Sequence, residues 1–293
     1  MFLCIEALSK QFWKEIKLKN SLTESFKLIF SDIDGTLLDS TRNISEQTIV
    51  AYDNLRPRIP FVLISSRQPS AMYYLQKDLG VENEVLVCYN GGMIIKGDQI
   101  LSSTIIPNNT TCKAIKIAEN IDVHLSLYRE DDWYAPKKDF WSDREQNNTR
   151  VNPTISTFED MHYLFEQNKW GSHKMMGMGD ADKIDQLISE LELKFPNQLH
   201  CYRSKDTYVE IAPKNISKKT AIQTVLKELY PEIKIEECIA FGDNFNDMEM
   251  LQAVGIGVAV DNAKPEVKDI ADYLTDSNKE HGVAKFLSKY GDQ

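Results

Sequence analysis

The chain has 293 residues, of which 42% are hydrophobic and 27% are charged, and its formal net charge at pH 7 is −10. This composition is ordinary for a globular protein, and the length allows about two domains of ~150 residues. The acidic balance argues against nucleic acid or an anionic membrane as the main partner, and no apolar run reaches the ~18 residues that a membrane span needs. The five cysteines form no C-x-x-C pair, which favours free thiols in a reducing compartment and predicts a cytoplasmic protein.

Residues 1–25 precede the first predicted strand and form an N-terminal extension. Its apolar residues Ile5, Leu8, Phe12 and Ile16 have helical spacing, with lysines between them. Such a stretch either packs loosely or docks as a helix on a partner or a membrane surface. Its apolar start is too short for a signal peptide, and no basic region comes before it.

Strands and helices alternate along most of the remaining chain. The predicted strands cover residues 28–33, 61–65, 85–89, 208–211, 238–242 and 256–260, and the predicted helices cover 45–55, 69–79, 218–229 and 247–253. Apolar runs separated by helical patterns are typical of βαβ units around a buried parallel sheet. The sequence therefore predicts the α/β fold class.

The stretch from about residue 101 to residue 205 breaks this alternation. It is richer in polar and aromatic residues, with predicted strands at 123–128 and 173–178 and predicted helices at 110–120 and 180–193. We interpret it as a separate α+β module that is inserted into a core formed by residues 26–100 and 206–293.

The first predicted strand runs directly into the segment Asp32-Ile33-Asp34-Gly35-Thr36. Buried carboxylates are costly unless they have a partner or coordinate a cation. A single Asp-Gly pair is as readily a plain turn. Two carboxylates directly after an apolar strand instead favour a reactive site, because a motif gains force from its structural context.

Polar groups follow other predicted strands at the same kind of position. The carboxyl ends of parallel strands border one crevice, so we expect these groups to lie close together. Each one alone is more readily a helix cap, a turn or a solvated side chain, and it is their shared position that favours a site. The groups are Ser65-Ser66-Arg67, Asn90-Gly91-Gly92, Lys218, Asp243 and Asn246-Asp247.

Carboxylates on two loops of one crevice would repel each other unless a cation lies between them. Mg²⁺ suits this position because it binds carboxylate, carbonyl and water oxygens. We expect Asp32 and Asp243 to be direct ligands, Asp34 to contribute its backbone carbonyl, and Asp247 to act directly or through another group. Asp32 is also the expected nucleophile that forms an aspartyl-phosphate, and Asp34 is the expected general acid/base.

Groups on several loops are expected to bind the transferring phosphoryl group. Lys218 supplies a fixed positive charge and Ser65 supplies a hydroxyl, while backbone N–H groups near Ile33 and Ser66 donate further hydrogen bonds. Asn246, beside the acidic residues of the last motif, is assigned to phosphate binding as well.

Taken in order, the motifs resemble those of the haloacid dehalogenase-like (HAD) superfamily, in particular its Cof-type sugar-phosphate phosphatases. The matching segments are Asp32-Ile33-Asp34-Gly35-Thr36, Ser65-Ser66-Arg67, Ser217-Lys218 and Gly242-Asp243-x-x-Asn246-Asp247. The resemblance runs from about residue 26 to the end. It implies a Rossmann-like three-layer core with a parallel sheet and an inserted α/β cap that selects the substrate. It also implies a Mg²⁺-dependent phosphatase that hydrolyses a small phosphorylated metabolite, such as a sugar phosphate, through an aspartyl-phosphate.

The chain departs from the family pattern at three positions, none of which removes a catalytic group. Ser66 and Lys219 stand where glycine is usual, and His281 stands where an acidic residue is common. Ser65 keeps a hydroxyl for phosphate. Ser66, in contrast, adds a side chain where glycine lets the backbone approach closely.

Other functions fit the sequence less well. A phosphomannomutase-like phosphotransferase must shield its intermediate from water, and the basic residues of the module show no spacing that indicates such a pocket. A non-catalytic sensor of a phosphorylated metabolite gains nothing from the second carboxylate, Asp34, beside an anion. A dehalogenase would need neither Asp34 nor the fourth motif.

The inserted module is where substrate choice is expected to reside. Trp133, Tyr134 and Lys174 are candidate contacts, although aromatic residues of such a module more often pack in its core. The expected partner is a small phosphorylated metabolite, with no nucleic acid and no membrane, and the expected state is a monomer or a weak homo-oligomer.

Overall fold

A computed structural model of the protein describes residues 26–55 and 59–291. The helical pattern expected between Ile5 and Leu18 lies outside the described residues. The chain divides into two compact units, the first within residues 1–62 and 229–293 and the second comprising residues 63–228. The boundaries expected from the sequence, at residues 100 and 205, remain a prediction.

The described residues form fourteen strands and ten α-helices, and the longest helices have fourteen residues. The strands are β1 (Leu28–Ser31), β2 (Phe61–Ile64), β3 (Leu86–Cys88), β4 (Met93–Lys96), β5 (Gln99–Ser103), β6 (His124–Arg129), β7 (Asp132–Ala135), β8 (Thr154–Ile155), β9 (Lys174–Met178), β10 (Leu199–Lys205), β11 (Tyr208–Pro213), β12 (Cys238–Gly242), β13 (Ile256–Val260) and β14 (Tyr273–Thr275). The helices are α1 (Glu46–Asp53), α2 (Tyr73–Leu79), α3 (Asn108–Ile121), α4 (Phe140–Thr149), α5 (Phe158–Asn168), α6 (Ala181–Lys194), α7 (Lys218–Leu229), α8 (Met248–Ala253), α9 (Pro265–Ile270) and α10 (Gly282–Gly291).

A parallel sheet forms the centre of the first unit, with strand order β14-β13-β12-β1. The strands β1, β12 and β13 are buried along their whole length, as expected for parallel strands that are covered on both faces. Helix α1 packs against α10. It begins at Ser45, whose hydroxyl accepts a hydrogen bond from the Thr48 backbone N–H at 3.2 Å and so caps the first turn.

The boundary between the two units falls within β2, so the second unit begins at Leu63. In this unit β2 and β3 are parallel, while β4 and β5 form an antiparallel hairpin beside β3. Helix α2 ends at Gly80, which has φ 68°, the left-handed conformation that commonly terminates a helix.

A separate six-stranded sheet, the inserted sheet, forms the rest of the second unit. Its order is β10-β11-β9-β6-β7-β8, and all neighbours are antiparallel except β7 and β8. Helices α3, α5 and α6 share a hydrophobic core with one face of this sheet, built around residues such as Leu125, Ile115, Phe165, Leu187 and Ile211. The opposite face carries polar and aromatic side chains, because successive strand residues point to opposite sides.

The fold class predicted from the sequence is confirmed as mixed α/β, with a parallel core sheet and a separate inserted sheet. One strand belongs elsewhere than expected. The predicted strand at 208–211 forms as β11, but it lies between β9 and β10 in the inserted sheet. Its sequence explains this, since Val209 and Ile211 are fully buried while Glu210 is only partly buried. Such alternation is typical of a sheet with two unlike faces.

Four described cysteines, Cys88, Cys112, Cys201 and Cys238, are free thiols. Burial raises the pKa of Cys201 and that of Cys238 to about 12. These thiols are therefore packing groups and not reactive ones. Within the described residues, no helix combines the length and apolar character that crossing a bilayer requires.

Candidate active site

The turn after β1 brings Asp32 close to the loop after β12. Residues Ile33–Leu37 form an irregular single turn, closed by a hydrogen bond from Leu38 N–H to the Ile33 carbonyl at 3.1 Å. Gly35 lies in this turn with φ +88°, and a Cβ atom there would lie 2.5 Å from Asp243 Oδ2. Only glycine allows both this conformation and this approach.

Three carboxylates meet at this point and form what we call the acidic cluster, Asp32, Asp243 and Asp247. Each offers an oxygen, and these atoms all lie within 4.8 Å of one another. Asp32 is 6% exposed and Asp247 is fully buried. Buried carboxylates at this spacing repel one another, so a divalent cation is the natural partner of this oxygen-only donor set, which suits Mg²⁺.

Local hydrogen bonds fix the orientation of the acidic cluster. Asp247 Oδ2 accepts hydrogen bonds from the backbone N–H groups of Asp243 and Asn244 at 2.9 and 3.0 Å. Thr36 Oγ1 donates to Asp243 Oδ1 at 3.0 Å. A Cβ atom at Gly242 would lie 2.5 Å from the Asp247 Cβ atom, so the tight fold of the loop after β12 depends on a glycine. The Asp247 carboxylate thus shapes the loop that presents Asp243.

The side chain of Asp34 is not a member of the acidic cluster found among the described residues. Its Oδ1 atom instead accepts a hydrogen bond from Arg42 Nη2 at 2.9 Å, and both side chains are partly exposed. Arg42 reaches this position from a tight loop in which Asp39 Oδ1 accepts hydrogen bonds from Thr41 and Asn43. Sequence reasoning missed Arg42, because its position depends on its own left-handed conformation at φ 61°.

Two asparagines from the C-terminal part of the first unit hold the turn after β1. Asn262 Nδ2 donates to the Gly35 carbonyl at 2.7 Å, and Asn278 Nδ2 donates to the Leu38 carbonyl at 2.6 Å. The Asn278 backbone N–H donates to Asn262 Oδ1 at 2.9 Å. These residues lie more than 200 positions from the turn, which is why no local pattern indicates their contacts.

In the second unit, Ser65 and its neighbours follow β2 as predicted. Ser65 is buried, its backbone N–H donates to the Val87 carbonyl at 2.9 Å, and its hydroxyl accepts from the Arg67 N–H at 3.3 Å. Arg67 is also buried, and its guanidinium donates to the Ala71 carbonyl and to the Tyr74 hydroxyl. We call residues 65–67 the phosphate loop, after the role that the sequence predicts for this segment.

The lysine of the predicted site, Lys218, is 1% exposed at the start of α7. The neighbouring turn at Asn90 and Gly91 packs on the same helix start, because a Cβ atom at Gly91 would lie 2.8 Å from Ala221 Cβ. The Asn90 N–H donates to the Ser65 carbonyl at 2.8 Å. The second unit therefore brings Ser65, Asn90 and the beginning of α7 together.

The structure also describes the remaining residues that the sequence predicts to bind phosphate or substrate. Ile33 is fully buried in the turn after β1, and Asn246 is partly buried in the short helical turn Phe245–Asp247. Of the module's candidate substrate contacts, Trp133 stacks on Tyr128 at 5.8 Å and Tyr134 packs edge-on against Phe165. These two aromatic residues are packing groups.

Comparison of the sequence with known proteins agrees with the geometry of the site. The family model described as haloacid dehalogenase-like hydrolase matches residues 29–287. The chain belongs to this family. It is 34% identical to a protein of Haemophilus influenzae named as a candidate phosphatase, over 90% of this chain and 98% of that protein. It is 29% identical to the 5-amino-6-(5-phospho-D-ribitylamino)uracil phosphatase of Bacillus subtilis, over 90% of this chain and 97% of the relative.

A solved structure supports the same assignment. The fold is similar to that of a haloacid dehalogenase-like hydrolase from Bacteroides thetaiotaomicron, with a TM-score of 0.81 and 27% identity over 90% of this chain and 99% of that one. The predicted resemblance to the HAD superfamily and its Cof-type phosphatases is thereby confirmed, as is the prediction of a hydrolase. The roles of individual residues remain predictions.

Proposed function

We propose that this HAD-family enzyme is a Mg²⁺-dependent phosphatase that hydrolyses a small phosphomonoester through an aspartyl-phosphate intermediate. The observation that carries this proposal is the acidic cluster, whose three carboxylates lie within 4.8 Å of one another. Asp32, Asp243 and Asp247, with the backbone carbonyl of Asp34, would hold the ion. A bound Mg²⁺ supplies positive charge that lets an anionic carboxylate approach an anionic phosphate.

Asp32 and Asp34 divide the bond-making and the proton transfers. A carboxylate oxygen of Asp32 attacks phosphorus, the ester P–O bond breaks, and Asp34 donates a proton to the leaving oxygen. Asp34 then takes a proton from water as that water attacks the phosphoryl group, which releases inorganic phosphate and restores Asp32. Asp34 accepts a hydrogen bond from Arg42 and is not among the three carboxylates of the acidic cluster, which supports a role for it apart from metal binding by its side chain.

Binding of the phosphoryl group is assigned to five residues. Lys218 contributes a buried positive charge and Ser65 a hydroxyl group. The backbone N–H groups of Ile33 and Ser66 and the side chain of Asn246 are assigned as further hydrogen-bond donors. Donors fixed before the reaction stabilise the charge of the transferring group without reorganisation, which is the main source of catalysis in phosphoryl transfer.

We assign substrate selection to the inserted module, residues 101–205, because the phosphate-binding groups cannot distinguish one ester from another. The substrate class we propose is a sugar phosphate or a similar small phosphomonoester. The Bacillus subtilis relative is named for a phosphorylated ribityl compound, which supports a small polyhydroxylated phosphate.

We further propose that the enzyme acts in the cytoplasm as a monomer or a weak homo-oligomer, without nucleic acid or membrane partners. The net charge of −10 supports the exclusion of polyanionic partners. The four described cysteines are free thiols, which supports a reducing compartment.

The test of this function is release of inorganic phosphate from a panel of metabolite phosphates by wild type and Asp32→Asn. We expect turnover with Mg²⁺, loss of turnover with EDTA, and loss in Asp32→Asn. Absence of turnover on every ester with retained ligand binding would contradict a phosphatase and support a sensor. Transfer of phosphate between positions of one sugar would support a phosphomutase.

A further inference from the structure

The side chain of Ser66, in the phosphate loop, forms a hydrogen bond with the inserted sheet. Ser66 Oγ donates to Glu210 Oε1 of β11 at 3.0 Å. This hydroxyl exists because the chain has serine where glycine is usual in the family motif. The side chain that departs from the family pattern therefore has a defined partner, which is a carboxylate of the module assigned to substrate selection.

A buried lysine, Lys174, also contacts Ser66. Lys174 of β9 is 4% exposed, and its Nζ atom donates to the Ser66 carbonyl at 3.0 Å while lying 4.3 Å from the centre of the Tyr128 ring. A buried ammonium group needs such partners to offset its lost hydration. Ser66 is thus held by Lys174 and in turn orients Glu210.

Glu210 has a neighbour with unused hydrogen-bonding capacity. Tyr208 lies two residues earlier on β11, so both side chains point from the same face of the inserted sheet, about 6.6 Å apart along the strand. Tyr208 is 8% exposed, and its buried hydroxyl has no hydrogen-bond partner. An unpaired buried hydroxyl is costly. Arg144 of α4 lies over the Tyr208 ring at 5.0 Å and adds a cation beside it.

The chemistry of these groups defines what they could bind. A carboxylate only accepts hydrogen bonds, whereas a tyrosine hydroxyl both donates and accepts. Alcohol groups match this pair because they do both as well. Glu210 is partly buried, and the Ser66 hydroxyl donates to its Oε1 atom.

We propose that Glu210 and Tyr208 form a specificity site for the hydroxyl groups of a polyhydroxylated leaving group, and that Ser66 is a positioning residue for Glu210. This inference rests on the proposed phosphatase function, because Ser66 belongs to the loop assigned to phosphate. It adds the residues that distinguish a polyol phosphate from a plain alkyl phosphate.

The experiment compares two substrates of the Mg²⁺-loaded enzyme, D-glucitol 6-phosphate and n-hexyl phosphate. Both are primary six-carbon esters, and only the first carries hydroxyl groups along the chain. The measured quantity is the ratio of their kcat/KM values. We expect wild type to favour glucitol 6-phosphate, since unused polar groups in the site oppose binding of the plain chain.

We expect Glu210→Gln to lower this ratio about 10- to 100-fold, the usual effect of losing hydrogen bonds to a charged group. Tyr208→Phe lowers it less, about 3- to 10-fold, because a neutral group is lost. Glu192→Gln makes the same change of charge on an exposed residue of α6 and should leave the ratio unchanged. An unchanged ratio in both Glu210→Gln and Tyr208→Phe would overturn the proposal.

The role of Ser66 has its own readout. Ser66→Gly should lower the ratio, while Ser66→Thr, which keeps a hydroxyl, should retain most of it. An equal loss on both substrates in Ser66→Gly would show that Ser66 serves the phosphate loop alone and does not position Glu210.

A binding measurement separates failure of this inference from failure of the proposed function. Calorimetry with Asp32→Asn and with Asp32→Asn/Glu210→Gln, titrated with both esters, requires no turnover. If wild type hydrolyses neither ester but Glu210→Gln selectively weakens binding of glucitol 6-phosphate, the function fails and the specificity site stands. If both esters are hydrolysed but Glu210→Gln weakens their binding equally, the specificity site falls and the function stands.

Discussion

The two units of this protein differ in the charges that they bury. The first unit places Asp32 and Asp247 in its interior. Backbone N–H groups orient Asp247, and the Thr36 hydroxyl donates to the neighbouring Asp243. Among its described residues, the second unit buries one carboxylate, Glu145, but three cations, Arg67, Lys174 and Lys218. Carbonyl oxygens and aromatic rings contact the first two cations. Buried charges of either sign are costly and are retained for a purpose. In the proposed function, the buried carboxylates of the first unit are the nucleophile and a metal ligand, and Lys218 of the second unit is assigned to phosphate.

The largest expected effect comes from removing the cation assigned to phosphate. Lys218→Met should lower kcat about 100- to 1000-fold, the range observed when a fixed donor to a developing charge is lost. The matched control is Lys219→Met, which removes the same charge from the adjacent, partly exposed residue. Steady-state kinetics on one phosphate ester measure both. A similar loss in the two variants would mean that positive charge on α7 acts through long-range electrostatics and not through a direct contact of Lys218 with phosphate.

A smaller effect is expected from the acidic cluster when one ligand is weakened. Asp243→Asn keeps the size of the side chain and its contact with Thr36 but removes a negative charge, so the Mg²⁺ concentration that gives half-maximal activity should rise about 10- to 100-fold. Asp261→Asn, which neutralises an exposed carboxylate paired with Lys268, is the control. An unchanged Mg²⁺ requirement in Asp243→Asn would remove this residue from the metal site.

The smallest effect concerns the free energy of unfolding. It depends on His173, which lies directly before β9 of the inserted sheet. Burial, with Arg129 nearby, lowers the pKa of His173 from 6.5 to about 4. His173 accepts a hydrogen bond from the Glu130 N–H and bonds Ser103 Oγ. Below pH 6.5 the unfolded chain binds a proton that the folded protein does not, so stability falls as the pH drops towards 4.

This difference amounts to about 2 kcal/mol of unfolding free energy between pH 7 and pH 5. Urea unfolding at the two pH values should show a smaller change in His173→Gln than in wild type. His162→Gln, on α5, provides the control. An identical pH dependence in wild type and His173→Gln would show that this histidine is not held neutral in the folded protein.

The sequence predicts those parts of the site in which a local pattern carries the information. Asp32 and Asp34 are recognisable because they directly follow an apolar strand pattern. Asp243 and Asp247 are recognisable because they follow a second apolar strand pattern that ends in a glycine. Strand ends are set by short-range apolar runs, so their polar residues can be assigned to one edge of a sheet. The acidic cluster then follows from parallel pairing of β1 with β12.

Contacts between distant residues could not be predicted in this way. Ser66 and Glu210 are 144 positions apart, and their hydrogen bond depends on β11 joining the inserted sheet. The expectation that residues 208–211 belong to the parallel sheet failed because a four-residue apolar pattern does not identify its neighbours. Alternation of Val209 and Ile211 with polar residues was the available signal. The Arg42–Asp34 contact depends on a left-handed residue that no glycine marks.

The most direct test of the central claim is mass spectrometry of acid-quenched enzyme during turnover of a phosphate ester with Mg²⁺. We expect the mass of one phosphoryl group on the peptide that contains Asp32, and its absence in Asp32→Asn and in enzyme treated with EDTA. Phosphate release without any phosphorylated Asp32 would contradict the account, because water would then attack the ester directly and Asp32 would serve only as a metal ligand.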